Sequence, residues 1–159
     1  MKTVVVVDLD STLFDTSPRH HLVPTENRHA NESWHPYSQA HVDDVLIEGM
    51  ATLVRLLQDQ VRIYVLSGRM DIAYDTTRQQ LTEHGIFADR LRLRADNELG
   101  SVAEWKIGVL REWMAEDDTK IALMLDDFPD LCAQVTAELG IPTVTPMLPV
   151  HYNTTMPGL

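Results

Sequence analysis

Four consecutive valines, Val4 to Val7, run directly into Asp8 and Asp10 in the stretch VVVVDLDSTLFDT. β-Branched residues fit a pleated surface, and a strand that is apolar at every position rather than every second one is covered on both faces. This run therefore points to a parallel sheet held between two layers of helices. It also ends in acids, and neighbouring carboxylates repel one another unless a cation or a shared proton lies between them.

The pattern repeats along the chain. Apolar runs rich in β-branched residues recur at TVVVV (3–7), VRIYVL (61–66), LRLR (91–94), IALML (121–125) and IPTVT (141–145), and each is expected as a strand. Amphipathic stretches of helix length separate most of them. After Gly49, Met50, Leu53, Val54, Leu56 and Leu57 recur at helical spacing, and Asp71 is placed to cap a helix ending at Gly85. Ser101 and Glu104 form a capping-box pattern ahead of Ile107, Leu110 and Met114. Pro129 suits the first turn of a helix whose end Gly140 marks. Strands alternating with helices predict one α/β domain over residues 1–159, Rossmann-like, its mostly parallel sheet flanked by helices.

Residues 15–44 break the alternation. Pro18, Pro24 and Pro36 interrupt them, and they hold five of the seven histidines: His20, His21, His29, His35 and His41. The segment has no sustained period and is expected as a small cap, inserted after the first strand, that touches the substrate. Its histidines are scattered among prolines rather than set at i and i+4, so a zinc site is not expected there. Trp34 and Tyr37 are available either to stack on a base or to anchor the insertion to the core. The tail TPMLPVHYNTTMPGL is expected as an extended, surface-bound end.

Composition narrows the partners. With 13 Lys and Arg against 24 Asp and Glu, the formal net charge is −11, which disfavours capture of a long polyanion by bulk electrostatics and leaves only local, short nucleic-acid contacts. The single Cys132 excludes an internal disulfide and a cysteine-based zinc site, and it is expected as a small buried apolar residue. The first residues lack the apolar core of a signal peptide, and no run approaches the ~20 apolar residues of a membrane span. A cytoplasmic protein without membrane contact is expected.

In open parallel sheets, ligands bind beyond the carboxyl ends of the strands. The polar clusters fall there: Asp8 and Asp10 after the first run, Ser67, Gly68 and Arg69 after VRIYVL, and Asp126 and Asp127 after IALML. Four carboxylates at one sheet edge require a divalent cation. An all-oxygen donor set suits a hard ion that keeps some of its waters, which points to magnesium. The Ser67 hydroxyl and the Lys106 ammonium suit a group with several negative oxygens, and phosphate is the natural candidate. Phosphate monoesters are so inert that accelerations of up to ~10²¹-fold are needed. Metal, ammonium and hydroxyl must jointly offset charge on the phosphoryl oxygens while one carboxylate attacks in line and a second serves as acid and then base. Arg69, Arg78 and Arg94 are candidates for a second phosphate or a base edge, with surface or helix-pairing roles as the plainer expectation. Asp130 is expected as an acid of a first helical turn.

Taken together these motifs resemble the haloacid dehalogenase (HAD) superfamily of phosphatases. VVVVDLDST is similar to its first motif, DxDxT; YVLSGR to its second; the lysine of AEWKIGVL to its third; and LMLDDFPD to its fourth. The four occur in order and cover nearly the whole chain. The resemblance implies Asp8 as nucleophile and magnesium ligand, and Asp10 as general acid and base that also offers its backbone carbonyl to the metal. Ser67 and Lys106 would hold the phosphoryl group, with Thr12, Gly68 and Arg69 on the substrate side. Asp126 would complete the metal site, with Asp127 beside it or just behind it. Ser11 stands where many members have glycine.

The segments SPRHHLV, ESWHPYSQAHVDD, TRQQLTEHGI and LRLRADNE look like small phosphatases of bacteriophages and bacteria that are similar to the 3′-phosphatase half of polynucleotide kinase-phosphatase. No GxxxxGK[ST] loop is present, so a kinase half is not expected, and a phage-encoded chain would work in its host's cytoplasm. The implied activity is a magnesium-dependent phosphomonoesterase acting through an aspartyl-phosphate, with a 3′-phosphate on a nucleic-acid end or nucleotide as substrate. The alternatives are a 5′- or 3′-nucleotidase acting on free mononucleotides and, more remotely, a non-catalytic phosphate- or partner-binding protein on the same fold.

Overall fold

The computed structural model describes residues 1–148. Its elements run β1 (Lys2–Val7), β2 (Phe14–Asp15), α1 (His35–Gln39), β3 (Val45–Leu46), α2 (Glu48–Leu57), β4 (Arg62–Met70), α3 (Tyr74–Glu83), β5 (Arg90–Arg94), α4 (Val102–Met114), β6 (Thr119–Leu125), α5 (Pro129–Leu139) and β7 (Thr143–Val144). Five strands form a parallel sheet in the order β5-β4-β1-β6-β7. Val7 sits beside Val65 of β4 on one side and Leu125 of β6 on the other.

The valine run explains why β1 is central. Val4 and Val6 pack into a cluster with Trp105, Leu110, Leu131 and Val135 of α4 and α5. Val5 and Val7 face Ala51, Val54 and Leu81 of α2 and α3. All four valines are buried, because successive side chains point to opposite faces and each face carries a helical layer. Each such burial contributes roughly 1.5–3 kcal/mol. The helix ends follow their signals at two places. Ser101 Oγ accepts from the Glu104 amide at 3.1 Å while the Glu104 carboxylate accepts from the Ser101 amide at 3.0 Å, and α5 runs from Pro129 to a left-handed Gly140 at φ 67°. Among the described residues no helix is long and apolar enough to cross a membrane.

Several boundaries differ from those read in the sequence. β4 does not stop at Leu66 but continues through Ser67, Gly68 and Arg69 to Met70, with an irregularity in its pairing to β5. Tertiary contacts prolong it: Met70 pairs with Arg94, and its amide donates to Ser38 Oγ at 3.0 Å. Asp71 therefore falls in a short 3-10 turn, Asp71–Ala73, and α3 opens at Tyr74 without a side-chain cap. α2 begins one residue before Gly49, and β7 spans only Thr143–Val144. Of the expected extended tail, Thr145 and Met147 are exposed, and residues 149–159 lie outside the described residues.

The aperiodic segment after β1 is closed at its base by β2 and β3, which pair antiparallel. Between them the chain makes 3-10 turns at Ser17–Leu22, Asn31–Trp34 and Ala40–Asp43 around the short α1. Contacts from below hold it. Asn31 Nδ2 donates to the carbonyls of Ala95, Asp96 and Glu98 at 3.3, 3.0 and 2.8 Å, and His41 bonds Gln80 Oε1 at 3.0 Å and Thr76 Oγ1 at 2.8 Å. Trp34 and Tyr37 stand edge to face with ring centroids 5.7 Å apart. Tyr37 is buried, while Trp34 is half-buried and its Nε1 donates to the Arg28 carbonyl at 2.9 Å, so the two aromatics pack against each other within the insertion.

Candidate active site

Asp8 and Asp126 directly follow β1 and β6, and Ser67 stands in β4 two residues beyond the Val65 that pairs with Val7, where the pairing of β4 to β5 becomes irregular. A tight turn follows β1: the amides of Thr12, Leu13 and Phe14 all point at the Leu9 carbonyl, at 3.1, 2.8 and 3.1 Å, and Ser11 takes φ 66°. That left-handed backbone is natural for glycine and uncommon for serine, which gives residue 11 a conformational reason for its place in the motif. The turn aims Thr12 back at the acids, with Oγ1 3.3 Å from both Asp8 Oδ2 and Asp127 Oδ1. Lys106, buried in the second turn of α4, donates to Asp8 Oδ1 at 2.9 Å and Asp126 Oδ2 at 2.7 Å. Asp126 also accepts from the Phe128 amide at 2.9 Å.

Carboxylate oxygens of Asp8, Asp126 and Asp127 lie within 4.8 Å of one another, the one group of three among the described residues placed to hold a metal ion. Three carboxylates thus face one ammonium. Burial pushes the Asp8 carboxyl well up, with Lys106 opposing and Asp126 and Asp127 reinforcing that push; burial and Asp126 push Asp127 up as well. Burial disfavours the Lys106 charge, yet Asp126 and Asp8 overcome it and hold the ammonium well above its usual range. The excess negative charge and the all-oxygen donors fit a hard divalent cation.

Asp10 faces elsewhere. Its Oδ1 accepts from Arg19 Nη2 and Arg69 Nη2, both at 2.6 Å. Arg19 also grips Asp44 at 2.8 and 2.7 Å, above the Tyr37 ring at 4.2 Å. Arg69 lies 3.5 Å from Asp44 and donates to Thr77 Oγ1 at 3.0 Å and Gln80 Oε1 at 3.2 Å. Two carboxylates and two guanidiniums neutralise one another here. Burial alone raises the Asp10 carboxyl, but Arg19 and Arg69 outweigh it and hold the group well below the usual carboxylate range. Burial pushes Asp44 up to about 6 against the Arg19 hydrogen bonds. Burial and Arg69 push His41 down to about 4.

Asp8, Thr12, Lys106, Asp126 and Asp127 are therefore drawn into one bonded group. Ser67 is buried in the irregular last stretch of β4 with Oγ accepting from the Arg69 amide at 3.2 Å. Gly68 lies so close to α4 that a Cβ there would sit 2.8 Å from Val102 Cγ1. Asp10 and Arg69 direct their side chains to the second group. Arg94 turns to the carbonyls of Glu98 and Gly100, and Asp130 is exposed in the first turn of α5. The histidines of the insertion bond separately, His20 to Thr16, His35 to Asp96 and His41 to Gln80. Sequence reasoning passed over Arg19 and Asp44, which lie 25 residues apart in an aperiodic stretch. One signal was available: a half-buried Asp10 needs a cation, and Arg19 is the first that follows it in the chain.

A family model described as HAD superfamily, subfamily IIIB (acid phosphatase), matches residues 1–143. No curated protein gives a significant match. Among solved structures, the fold superposes on a chain of the Pnkp1/Rnl/Hen1 RNA repair complex with a TM-score of 0.71 at 20% identity, covering 92% of this chain and 42% of that one. It also matches a haloacid dehalogenase-like hydrolase from Streptococcus pneumoniae (TM-score 0.64, 15% identity, 91% of this chain and 84% of that one). A class C acid phosphatase from Bacillus anthracis with tungstate bound gives a TM-score of 0.58 at 20% identity, over 92% of this chain and 68% of that one. The chain spans less than half the length of the RNA repair chain, and at these identities the likenesses speak for the fold.

Proposed function

The chain belongs to the HAD superfamily, subfamily IIIB (acid phosphatase) family, and on that footing we propose that it is a magnesium-dependent phosphomonoesterase working through an aspartyl-phosphate on Asp8. The observation that carries this reading is the buried Lys106 ammonium between Asp8 and Asp126, with Asp127 alongside and acid in excess of base. Asp8, Asp126 and Asp127 would hold the ion, joined by the Asp10 backbone carbonyl, and magnesium bound there supplies positive charge against the phosphoryl oxygens.

The chain's own residues do the rest. Asp8 attacks phosphorus in line, the bond from phosphorus to the leaving oxygen breaks, and Asp10, ionised in the free protein beside Arg19 and Arg69 and protonated as the negative phosphate enters next to it, gives that oxygen its proton. Water then attacks the acyl phosphate, Asp10 takes its proton, and inorganic phosphate departs with Asp8 restored. Both arginines hold Asp10 by Oδ1, which leaves Oδ2 to face the leaving oxygen. Lys106 and Ser67 bind the non-bridging oxygens, Thr12 and Gly68 shape the floor, and Arg69 steadies Asp10 beside the substrate.

The substrate class is a 3′-phosphate on a nucleic-acid end or nucleotide. Residues 15–44 act as a small cap, and a cap of that size suits a chain terminus better than a small sugar phosphate that must be enclosed. The likeness to an RNA repair chain supports the same class. The net charge of −11 favours a second reading, a nucleotidase acting on free mononucleotides. The deciding assay is magnesium-dependent phosphate release from a 3′-phosphorylated oligonucleotide, its 5′-phosphorylated counterpart and free 3′- and 5′-mononucleotides, with Asp8→Asn as blank. Preference for 3′-phosphates is expected, preference for free 5′-nucleotides selects the nucleotidase, and release from none of them overturns the phosphatase.

A further inference from the structure

A groove of about 480 Å³ runs beside β5, the edge strand of the sheet. One wall is a stripe of α3, Tyr74, Arg78 and Thr82, stacked one above another by their i, i+4, i+8 spacing. Phe87, Arg90 and Arg92 line the other side. Phe87 is 62% exposed and Tyr74 37%, whereas Trp34 and Tyr37 of the insertion pack edge to face on each other. The groove also inverts the charge of the molecule: its lining has three arginines against Asp89, in a chain where acids outnumber bases 24 to 13. Arg90 is gripped by both oxygens of Glu116 and is committed there, whereas Arg92 meets Glu98 through one contact with its own side chain exposed, and a single-contact pair of this kind is weak enough for another anion to displace. The Arg78 guanidinium has no hydrogen-bond or ion-pair partner among the described residues.

The groove leads to the site. Arg94, the last residue of β5, pairs with Met70, which directly follows Ser67–Arg69 on β4, and Tyr74 opens the next helix. From there the edge strand extends roughly 13 Å at ~3.3 Å per residue, room for a short run of nucleotides. We propose that this groove is the track for the single strand leading to a 3′ end in the site. Bases would stack on Tyr74 and Phe87, and phosphates would meet Arg78 and Arg92, the combination by which single strands are held without sequence preference. The inference rests on the phosphatase reading and narrows its substrate class to a strand rather than a free nucleotide.

The test compares kcat/KM on a 3′-phosphorylated octanucleotide with that on the matching 3′-mononucleotide, and follows by fluorescence anisotropy the unphosphorylated octanucleotide binding to Asp8→Asn protein. The wild type is expected to favour the octanucleotide by on the order of tenfold or more. Phe87→Ala and Arg78→Glu are each expected to pull that ratio toward one and to weaken the anisotropy binding in parallel. Both side chains are exposed, so the variants keep the fold, which melting curves check. A wild-type ratio near one, or a ratio indifferent to both substitutions, overturns the groove while mononucleotide turnover keeps the phosphatase. If no ester is turned over, the phosphatase reading falls and anisotropy decides the groove alone. Binding that both substitutions abolish upholds it, and binding absent or indifferent to them overturns it.

Discussion

Two buried charge clusters flank the turn after β1, built from the same kinds of residue with opposite balance. Around Asp8, three carboxylates share one ammonium. Around Asp10, two carboxylates share two guanidiniums. The second cluster is complete within the chain, and it fastens the insertion, through Arg19 and Asp44, to the strand that carries Arg69. The first is left short of positive charge at a sheet edge where ligands bind. The contrast teaches that a balanced buried cluster fixes structure, while an unbalanced one marks where something from outside must arrive.

The largest effect that would break this contrast is on turnover. Asp8→Asn is expected to lower phosphate release by at least about 10⁴-fold, while its thermal midpoint without metal stays at or above that of the wild type, because a buried, repelled carboxylate has been removed. A midpoint several degrees lower would mean that the open cluster also holds the fold. Arg19→Ala attacks the closed cluster and leaves Asp10 and Asp44 with Arg69 as their one shared cation, a loss expected to cost about 3–5 kcal/mol. Denaturant unfolding measures it, and a loss below about 1 kcal/mol would show the cluster to be dispensable.

Magnesium should separate the two clusters next. An ion at 100 times its dissociation constant stabilises by about 2.7 kcal/mol, so calorimetry with added magnesium should raise the midpoint of the wild type and of Arg19→Ala alike, and that of Asp126→Asn little. An equal rise in Asp126→Asn would place the ion elsewhere. The smallest effect comes from His41, hydrogen-bonded to Gln80 and Thr76 and held neutral by burial, Arg69 and Arg19, with the Gln80 bond and Asp10 opposing. Its folded value of about 4 lies below the ordinary ~6.5. Its contribution is therefore fully present above pH ~6.5 and is lost as the pH falls toward about 4. His41→Gln should flatten the pH dependence of stability across that window, and an unchanged slope would put the proton on another group.

How much of this was legible differs by residue. Val4–Val7 announced a central strand because their burial on both faces is a property of the run itself, and Ser101 with Glu104 announced a helix start because a capping box is local. Asp8 and Asp126 were legible because each follows a strand end in a parallel sheet, and Lys106, which lies in a helix, joined them through its resemblance to the family's third motif. The end of β4 was not, since Met70 is held in the strand by Ser38 and Arg94, residues far from it in sequence. Trp34 and Tyr37 carried two readings, and only the structure shows that they pair edge to face inside the insertion, with Tyr37 buried.

By itself the sequence determined what periodicity and order can carry: an α/β layer structure, the strand ends that bear carboxylates, and a segment after β1 that obeys neither period. Only the tertiary structure decided which acids share which cations. Asp8 and Asp10 are two residues apart on one turn, yet one faces Lys106, 98 residues away, and the other faces Arg19 and Arg69. Charge pairing acts through space over a few ångströms inside a low-dielectric interior, and no local pattern encodes which distant side chain will fill that space.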